Sequence, residues 1–330
     1  MSSALFSLRA AAGALASTAI ALAALGAAVT PSATRAAAPM VKTQAPGFYR
    51  VMLGAFEVTA LSDGTVDLPA DTLLHPPSGA MASRLAAAHL KSPVETSVTG
   101  FLVNTGDKLV LVDTGAGALF GPTLGKLTAS LRAAGYQPEQ VDEVLLTHAH
   151  PDHVGGLMAP GGVAFPNATV RLDEADAQYW LSAAKMEAAP AQAKGFFQGA
   201  MASLNPYAEA GRLKPFAAGT ELLPGIRAVA ARGHSAGHTV YAVESQGQRL
   251  LLIGDLIHVG AVQLDDPRVT IAYDSDEPAA AATRRQVFAQ AAAQNTLIGA
   301  PHLPFPGLGH LRRAGAGYRW LPVDYTAQLK

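Results

Sequence analysis

The chain has 330 residues, with 24 Lys and Arg against 25 Asp and Glu, 10 His and no Cys. Apolar residues make up 49% and charged residues 15%, a balance that supports a large buried core and excludes a disordered chain. A net charge of −1, with no basic run longer than a pair, excludes nucleic acid as the main partner. The lack of Cys excludes disulfides, thiolate nucleophiles and Cys-ligated zinc, so any metal must sit on imidazole nitrogen and carboxylate oxygen.

Residues 1–38 read as an export signal. Arg9 is an early positive charge, Ala10 to Val29 is an Ala/Leu/Ile/Val stretch, and small residues run from Ser32 to Ala38, with cleavage expected within Ala33–Ala38. A membrane anchor is the competing reading, but a stretch dominated by Ala inserts weakly. No later stretch reaches the roughly 18 apolar residues of a membrane span. The mature chain, 39–330, is therefore expected to be a single soluble domain of the periplasm or the medium, without stable membrane insertion. A chain free of thiols is compatible with that oxidising space.

In the mature chain, Phe56–Leu61 and Thr65–Leu68 flank Asp63-Gly64 and predict a hairpin. Ser97–Val103 and Lys108–Val112 predict a second one, and Leu109-Val110-Leu111-Val112, apolar on both faces, reads as a buried strand. Leu124, Leu127 and Leu131 give helical spacing over 123–134, with Gly135 as its stop. Val141–Leu146 is another buried strand. Helices are expected over 173–184 and 194–210, strands over 226–231, 239–244 and 250–253, a helix over 278–293 and a short strand over 296–299. Strands alternating with helices, with hairpins among them, imply two mixed sheets covered by helices.

The segment Thr147-His148-Ala149-His150-Pro151-Asp152-His153-Val154-Gly155-Gly156 follows a buried strand and crowds three His and one Asp together. Side chains two apart in an extended chain share a face, so His148 and His150 can meet one ion. Pro151 and the glycine pair break the strand, which lets Asp152 and His153 turn inward. A lone His is usually a surface or hydrogen-bonded residue. Crowded together, these four groups have no common partner except a cation. His234, Asp255 and His302 each stand just after a further apolar strand. Five His and two Asp are too many for one tetrahedral zinc and suit two ions sharing a carboxylate.

The H-x-H-x-D-H segment, with Gly233-His234, Gly254-Asp255 and Pro301-His302 after it and Val112-Asp113-Thr114-Gly115 before it, resembles the metallo-β-lactamase superfamily. Glu95–Gly100, Thr147–Leu157, Gly195-Phe196-Phe197, Ala200–Tyr207 and Phe305-Pro306-Gly307 are similar to its methyl parathion hydrolase group. That resemblance implies an αββα sandwich, an α/β fold of two mixed sheets flanked by helices. It implies two divalent ions, zinc in first place and Mn, Fe or Co as alternatives. By the same likeness His148, His150 and His234 hold one ion, Asp152, His153 and His302 hold the other, and Asp255 bridges. Asp113 and His238 would support ligands from behind. Phe120, Trp180 and Phe196 would line an apolar pocket for a leaving group, narrowed by Ile271, Tyr273 and His258, with His258 at its mouth. The resembled group also implies a homodimer.

The expected chemistry is hydrolysis by a hydroxide shared between the ions, with Asp152 and Asp255 as the catalytic carboxylates and Asp255 taking a proton. An aromatic, weakly charged pocket suits small neutral lactones, aryl esters or organophosphate triesters. The first reading is a lactone or aryl-ester hydrolase with phosphotriesterase side activity. The second is a dedicated organophosphate hydrolase. A third, from another class, is a non-catalytic exported metal- or ligand-binding protein.

Overall fold

The computed structural model describes residues 38–77 and 80–329. The expected export signal lies outside the described residues, apart from Ala38. Residues 38–43 form no helix or strand and are exposed, and Gln44–Lys330 makes one compact unit. Among the described residues, no helix is long and apolar enough to cross a membrane.

One sheet hydrogen-bonds Phe48–Leu53 (β1), Phe56–Leu68 (β2), Val94–Asn104 (β3), Leu109–Val112 (β4), Glu143–Leu145 (β5) and Thr169–Arg171 (β6) in that order. The other orders Glu221–Leu223 (β7), Ile226–Ala230 (β8), Thr239–Ser245 (β9), Gln248–Leu252 (β10), Leu297–Gly299 (β11), Leu308–Ala314 (β12) and Gly317–Pro322 (β13). Both are mixed: β4, β5 and β6 run parallel in one, and β10 and β11 in the other. The helices used below are Met81–Ala87 (α1), Leu127–Ala133 (α2), Pro151–Val154 (α3), Glu174–Trp180 (α4), Ala183–Ala188 (α5), Ala191–Glu209 (α6) and Glu277–Gln294 (α7).

The pleat of single strands sorts apolar side chains into three layers. Val110 and Val112 point between the sheets, where they join Phe101, Val103, Tyr241, Val243, Leu250 and Leu252. Leu109 and Leu111 point the other way, onto Leu131 of α2 and Phe197, Leu204 and Tyr207 of α6. Val240, Ala242 and Leu251 leave the opposite face of the second sheet and meet Phe288 and Ala291 of α7. The layers are helix, sheet, sheet, helix, as the αββα expectation requires. β4 is buried at all four residues, which explains why its sequence lacks polar alternation.

Two expected elements are organised differently. Asp63-Gly64 is a bulge within β2, where the register against β3 shifts between Ser62 and Gly64, and not the turn of a hairpin. The hairpin joins β1 to β2 through Gly54-Ala55. The reason is the Asp63 side chain, which is buried and accepts the backbone N–H groups of Ala116, Gly125 and Leu127, each at 2.9 Å. Gly64 adopts φ +125°, and a Cβ there would lie 2.1 Å from the Thr123 carbonyl oxygen. The same clamp starts α2 at Leu127, after Gly125 with φ +78°, and not at the expected 123.

The helix expected over 173–184 is two. Asp173 caps α4 by accepting from Ala175 N, and Ser182 caps α5 afresh by accepting from Lys185 N. α6 spans 191–209 and carries Phe197, Ala200, Leu204 and Tyr207 on its buried face. The remaining strands and α7 fall within a few residues of expectation, and β12–β13 is a C-terminal hairpin that the sequence reading passed over.

Replacement of Asp63 by Ala leaves three backbone donors unpaired in the interior. We expect a loss of about 3 kcal/mol in unfolding free energy, read from denaturant midpoints; a loss within error of zero would show that the clamp carries no stability.

Candidate metal centre

Every expected ligand stands at the C-terminal end of a strand. β5 runs into His148 and His150, and α3 follows at once with Asp152 and His153. β4 leads to Asp113, β8 to His234, β10 to Asp255 and β11 to His302. Val112 pairs with Leu145 and Leu252 with Gly299 in parallel register, so these ends lie level along one edge of the sandwich. Layered α/β folds collect their ligands at such an edge.

Two groups of donor atoms converge there. His148, His150, His234 and Asp255 form one; Asp152, His153, His302 and Asp255 form the other, with all donor atoms in each group within 4.8 Å of one another. Asp255 belongs to both and divides its oxygens between them. Its Oδ1 lies 3.0 Å from His153 Nε2 and 3.0 Å from His302 Nε2. Its Oδ2 lies 3.2 Å from His234 Nε2 and 3.6 Å from His148 Nε2. Asp152 Oδ2 stands 3.5 Å from His153 Nε2 and 3.6 Å from His302 Nε2. His148 Nε2 and His153 Nε2 are buried without a hydrogen bond. Buried nitrogens with unused lone pairs, crowded around carboxylates, are the donor chemistry of divalent metal sites.

The far side of three of the rings is held. His153 Nδ1 meets Asp113 Oδ2 at 2.9 Å, His234 Nδ1 meets Asp274 Oδ1 at 2.8 Å, and His302 Nδ1 donates to the Ser97 carbonyl at 2.9 Å. Each contact fixes a tautomer and turns Nε2 toward the centre. Asp113 has φ +58° and also accepts from Thr147 N and Thr147 Oγ1 at 2.8 Å each, so it ties β4 to the histidine motif. His238 accepts from Asp255 N at 2.9 Å through Nε2 and donates through Nδ1 to the Ala231 carbonyl at 3.0 Å. A Cβ on Gly254 would meet His238 Nε2 at 2.6 Å, so only glycine lets Asp255 approach this closely.

Three further supports had no sequence signal. Asp176, buried in the first turn of α4, accepts from Ala149 N, Ser235 Oγ and Gly237 N at 2.7–2.9 Å and so clamps the two loops that carry His148, His150 and His234. An acidic residue in a first helical turn reads as ordinary helix chemistry. Asp274 sits in a loop without a motif. Arg284 of α7 is fully buried, donates to the carbonyls of Leu256, Pro267 and Val269, and stands 3.9 Å from Asp274 Oδ2. Its position beside Arg285 in a helix gave no hint of burial.

Charge in this dry interior is balanced locally. Burial, reinforced by neighbouring imidazoles, holds His148 and His150 well below the ordinary histidine range, so both are neutral. Burial also pulls on His234, but Asp255 and Asp274 outweigh it and raise its pKa to about 9. His153 and His302 rise for the same reason, through Asp255 and Asp152. Burial alone would raise Asp255; His153 and His302, then His148 and His258, overcome it and hold the carboxyl well below its usual range.

A pocket of about 210 Å³ opens over Asp152, Asp255 and His302, walled by Phe120, Phe196, Tyr273 and Leu68. Two expected wall residues are elsewhere. Trp180 is 6% exposed and packs edge-on behind His150, with ring centroids 5.1 Å apart. Ile271 is fully buried in a separate core beside Leu74 and Val269, because it pairs with Leu74 in a two-stranded ribbon. His258 does line the pocket, but at its base and not its mouth. It is 5% exposed, and its Nε2 lies 3.0 Å from Asp255 Oδ2.

Residues 94–302 match the family model described as the metallo-beta-lactamase superfamily. The chain is 36% identical to the hydrolase AbOPH of the beta lactamase superfamily, a structure that it matches over 86% of its own length and 100% of the other, with a TM-score of 0.82. It is 27% identical to AidC, a dizinc quorum-quenching lactonase solved with an N-hexanoyl-L-homoserine product, over 85% and 98% of the two chains, with a TM-score of 0.78. A probable metal-dependent hydrolase from Staphylococcus aureus, 19% identical over 84% and 100%, shares the fold with a TM-score of 0.68. No curated protein matches the sequence.

His234, raised to about 9, and His153, raised well above the ordinary histidine range, hold protons at neutral pH when no metal is bound, and His302 is shifted in the same direction. Metal ligands must give up those protons. Adding zinc to chelator-stripped protein in weak buffer at pH 7 is expected to acidify the solution by between one and three protons per chain, fewer at higher pH. Zinc uptake without acidification would disprove this charge assignment.

Proposed function

The chain belongs to the metallo-beta-lactamase superfamily, and on that premise we propose that it is a dinuclear metal hydrolase of lactones and aryl esters, with organophosphate triesters as a secondary substrate class. The observation that carries the proposal is Asp255, one carboxylate with each oxygen turned to a different cluster of imidazoles, beneath an apolar pocket. Two divalent ions at the paired clusters would supply Lewis acidity toward a carbonyl or phosphoryl oxygen and would activate water at neutral pH.

The protein's own groups supply the rest. Phe120 and Phe196 hold an apolar group of the substrate and shed water from around the reacting centre. Tyr273 also lines the pocket; burial and the Asp152 charge push its phenol up, so it stays a hydrogen-bond donor. His258 Nε2 sits against Asp255 Oδ2, which places a proton relay between that carboxylate and the pocket. Gln263 fixes the relay by accepting from the backbone N–H groups of His258 and Val259 at 2.7 and 3.1 Å. Among the described residues, no Lys or Arg lines this pocket, so neutral substrates fit it and anionic ones find no counter-charge.

The likeness to AidC supports lactones ahead of other esters. The sequence likeness to the methyl parathion hydrolase group supports the secondary class. Paired turnover of dihydrocoumarin and methyl paraoxon by one metal-loaded preparation tests the ranking: a lactone kcat/KM above that for the triester is expected, and the reverse order would promote the organophosphate reading. Asp255→Ala is expected to abolish both activities and to lower the bound metal, measured by elemental analysis. Full turnover with two metals retained would end the bridging role.

A further inference from the structure

The chain has two Arg-Arg pairs, Arg284-Arg285 and Arg312-Arg313. Arg285 and Arg313, one from each pair, line the same cavity of about 450 Å³, between α1, α7 and the β12–β13 hairpin. Arg84 of α1 and Arg268 complete a set of four guanidinium side chains from four separate segments. The carboxylates among the lining residues are Asp265 and Asp266, so the cavity carries two positive charges more than it balances. The whole chain has a net charge of −1, so this surplus is a local concentration and not a trend of the surface. None of these residues lines the pocket over the metal centre.

The positive charges are poorly matched within the protein. Asp266 is buried and gives both oxygens to Arg268: Oδ1 accepts from Nε at 2.8 Å and Oδ2 from Nη2 at 2.9 Å. Arg84 reaches the same carboxylate only at 3.6 Å, and its Nη1 is buried without a hydrogen bond. A buried donor on a permanent cation costs free energy when it has no acceptor. Among the described residues, these are the ion pairs of the cavity, and Arg285 and Arg313 come to it without one. Arg313 lies instead over the ring of Tyr318, 5.6 Å from its centroid.

The frame that holds these charges is regular structure. Arg313 and Tyr318 are direct partners across β12 and β13, and Tyr318 N donates to the Leu264 carbonyl at 2.8 Å. Gly317 packs so closely on the same segment that a Cβ there would lie 2.5 Å from the Asp265 carbonyl oxygen. Arg285 and Ala289, one turn apart on α7, both face the cavity. Like charges fixed on separate elements cannot swing apart as they would on one loop.

We propose that this cavity binds a phosphate group in its doubly charged form, as inorganic phosphate or as the monoester of a small polar molecule. Two negative charges match the surplus, and a phosphate group is largely a dianion at neutral pH. A tetrahedral oxyanion offers acceptors in several directions, within reach of guanidinium groups on separate segments, whereas a carboxylate offers two oxygens in one plane. Arg84 Nη1 gains the acceptor that it lacks. The site stands apart from the hydrolase reading and does not depend on it.

The test is titration calorimetry of the metal-loaded protein, freed of excess metal, with inorganic phosphate at neutral pH and constant ionic strength, repeated with glycerol 3-phosphate and with acetate. Loaded metals also attract anions, so the comparison is with the double variant Arg285→Gln/Arg313→Gln, which changes two exposed residues outside the metal centre. The wild type is expected to bind one phosphate beyond the share of the metals, and the variant to bind it about 100-fold more weakly, about tenfold for each guanidinium removed. Arg227→Gln/Arg249→Gln removes the same charge outside the cavity and should leave that binding unchanged. Tighter binding of the monoester assigns the site to an organic phosphate and tighter binding of inorganic phosphate to the free ion; either supports the proposal. Identical phosphate binding in wild type and the Arg285/Arg313 variant overturns it, as does equal weakening by the Arg227/Arg249 pair, or acetate that binds there as tightly as phosphate. Sedimentation with phosphatidic acid vesicles that the Arg285/Arg313 variant loses, without binding of either small phosphate, assigns the arginines to a membrane surface and also overturns it.

Discussion

A carboxylate buried at 3% exposure cannot stay charged unless positive charge surrounds it, and Asp255 imposes that requirement on the whole centre. Its two oxygens face four imidazoles of the paired clusters and a fifth at His258. Without a metal, only some of those rings can be charged against Asp255, because protonated imidazoles this close repel one another. The opposed directions in which these histidines are pushed express this frustration: His148 and His150 are driven to the neutral form, while His153, His234 and His302 are driven to the charged one. Cations at the two clusters would relieve both halves of it at once.

Holding so many mutually repelling groups close together requires a stiff frame. Two features supply it. Parallel register at β4–β5 and at β10–β11 brings strand ends level, so ligands far apart in sequence leave the sheets at one height. Buried carboxylates then tie the loops to one another: Asp113 joins β4 to Thr147 and His153, Asp176 joins the Ala149 and Gly237 loops, and Asp63 holds the segment from Ala116 to Leu127 that carries Phe120. Asp63 and Asp176 are buried on hydrogen bonds alone, and Asp113 adds a pairing with His153 to the bonds that it accepts from Thr147. The three apolar layers stabilise the sandwich, and the acids fix its edge.

The histidine motif was legible because its parts are neighbours in sequence and their spacing alone implies a shared ion. Strand-end placement extended the reading to His234, Asp255 and His302. Asp113 was legible through the resemblance, but Asp176 and Asp274 were not, since their partners are remote: Asp176 reaches Ala149 and Gly237 across 27 and 61 positions, and Asp274 reaches His234 across 40. Nothing local marks such a residue as buried. Asp63-Gly64 shows the opposite error, a strong local turn signal overruled by tertiary hydrogen bonds. The pocket reading failed where apolar character had to name a side: Trp180 and Ile271 are as apolar as Phe120 and Phe196, and only the register of neighbouring elements decides which faces the cavity.

Selectivity must then come from the walls and not from the centre. A site that stabilises growing negative charge on an oxygen serves a lactone carbonyl and a phosphoryl group alike. The pocket is lined by Asp67, Asp152 and Asp255 and, among the described residues, by no Lys or Arg, so an anionic group held away from the centre finds no Lys or Arg counter-charge. That disfavours substrates whose recognition depends on a carboxylate or phosphate anchor, a nucleic acid backbone included. What remains is shape: on the proposed reading, a chamber of about 210 Å³ would admit a compact reacting group, and its aromatic boundary would limit what accompanies it. Small changes at Phe120, Phe196 or Tyr273 can thus alter the substrate without touching a single ligand, because the ligands are fixed by the strands and the walls by the loops that join them.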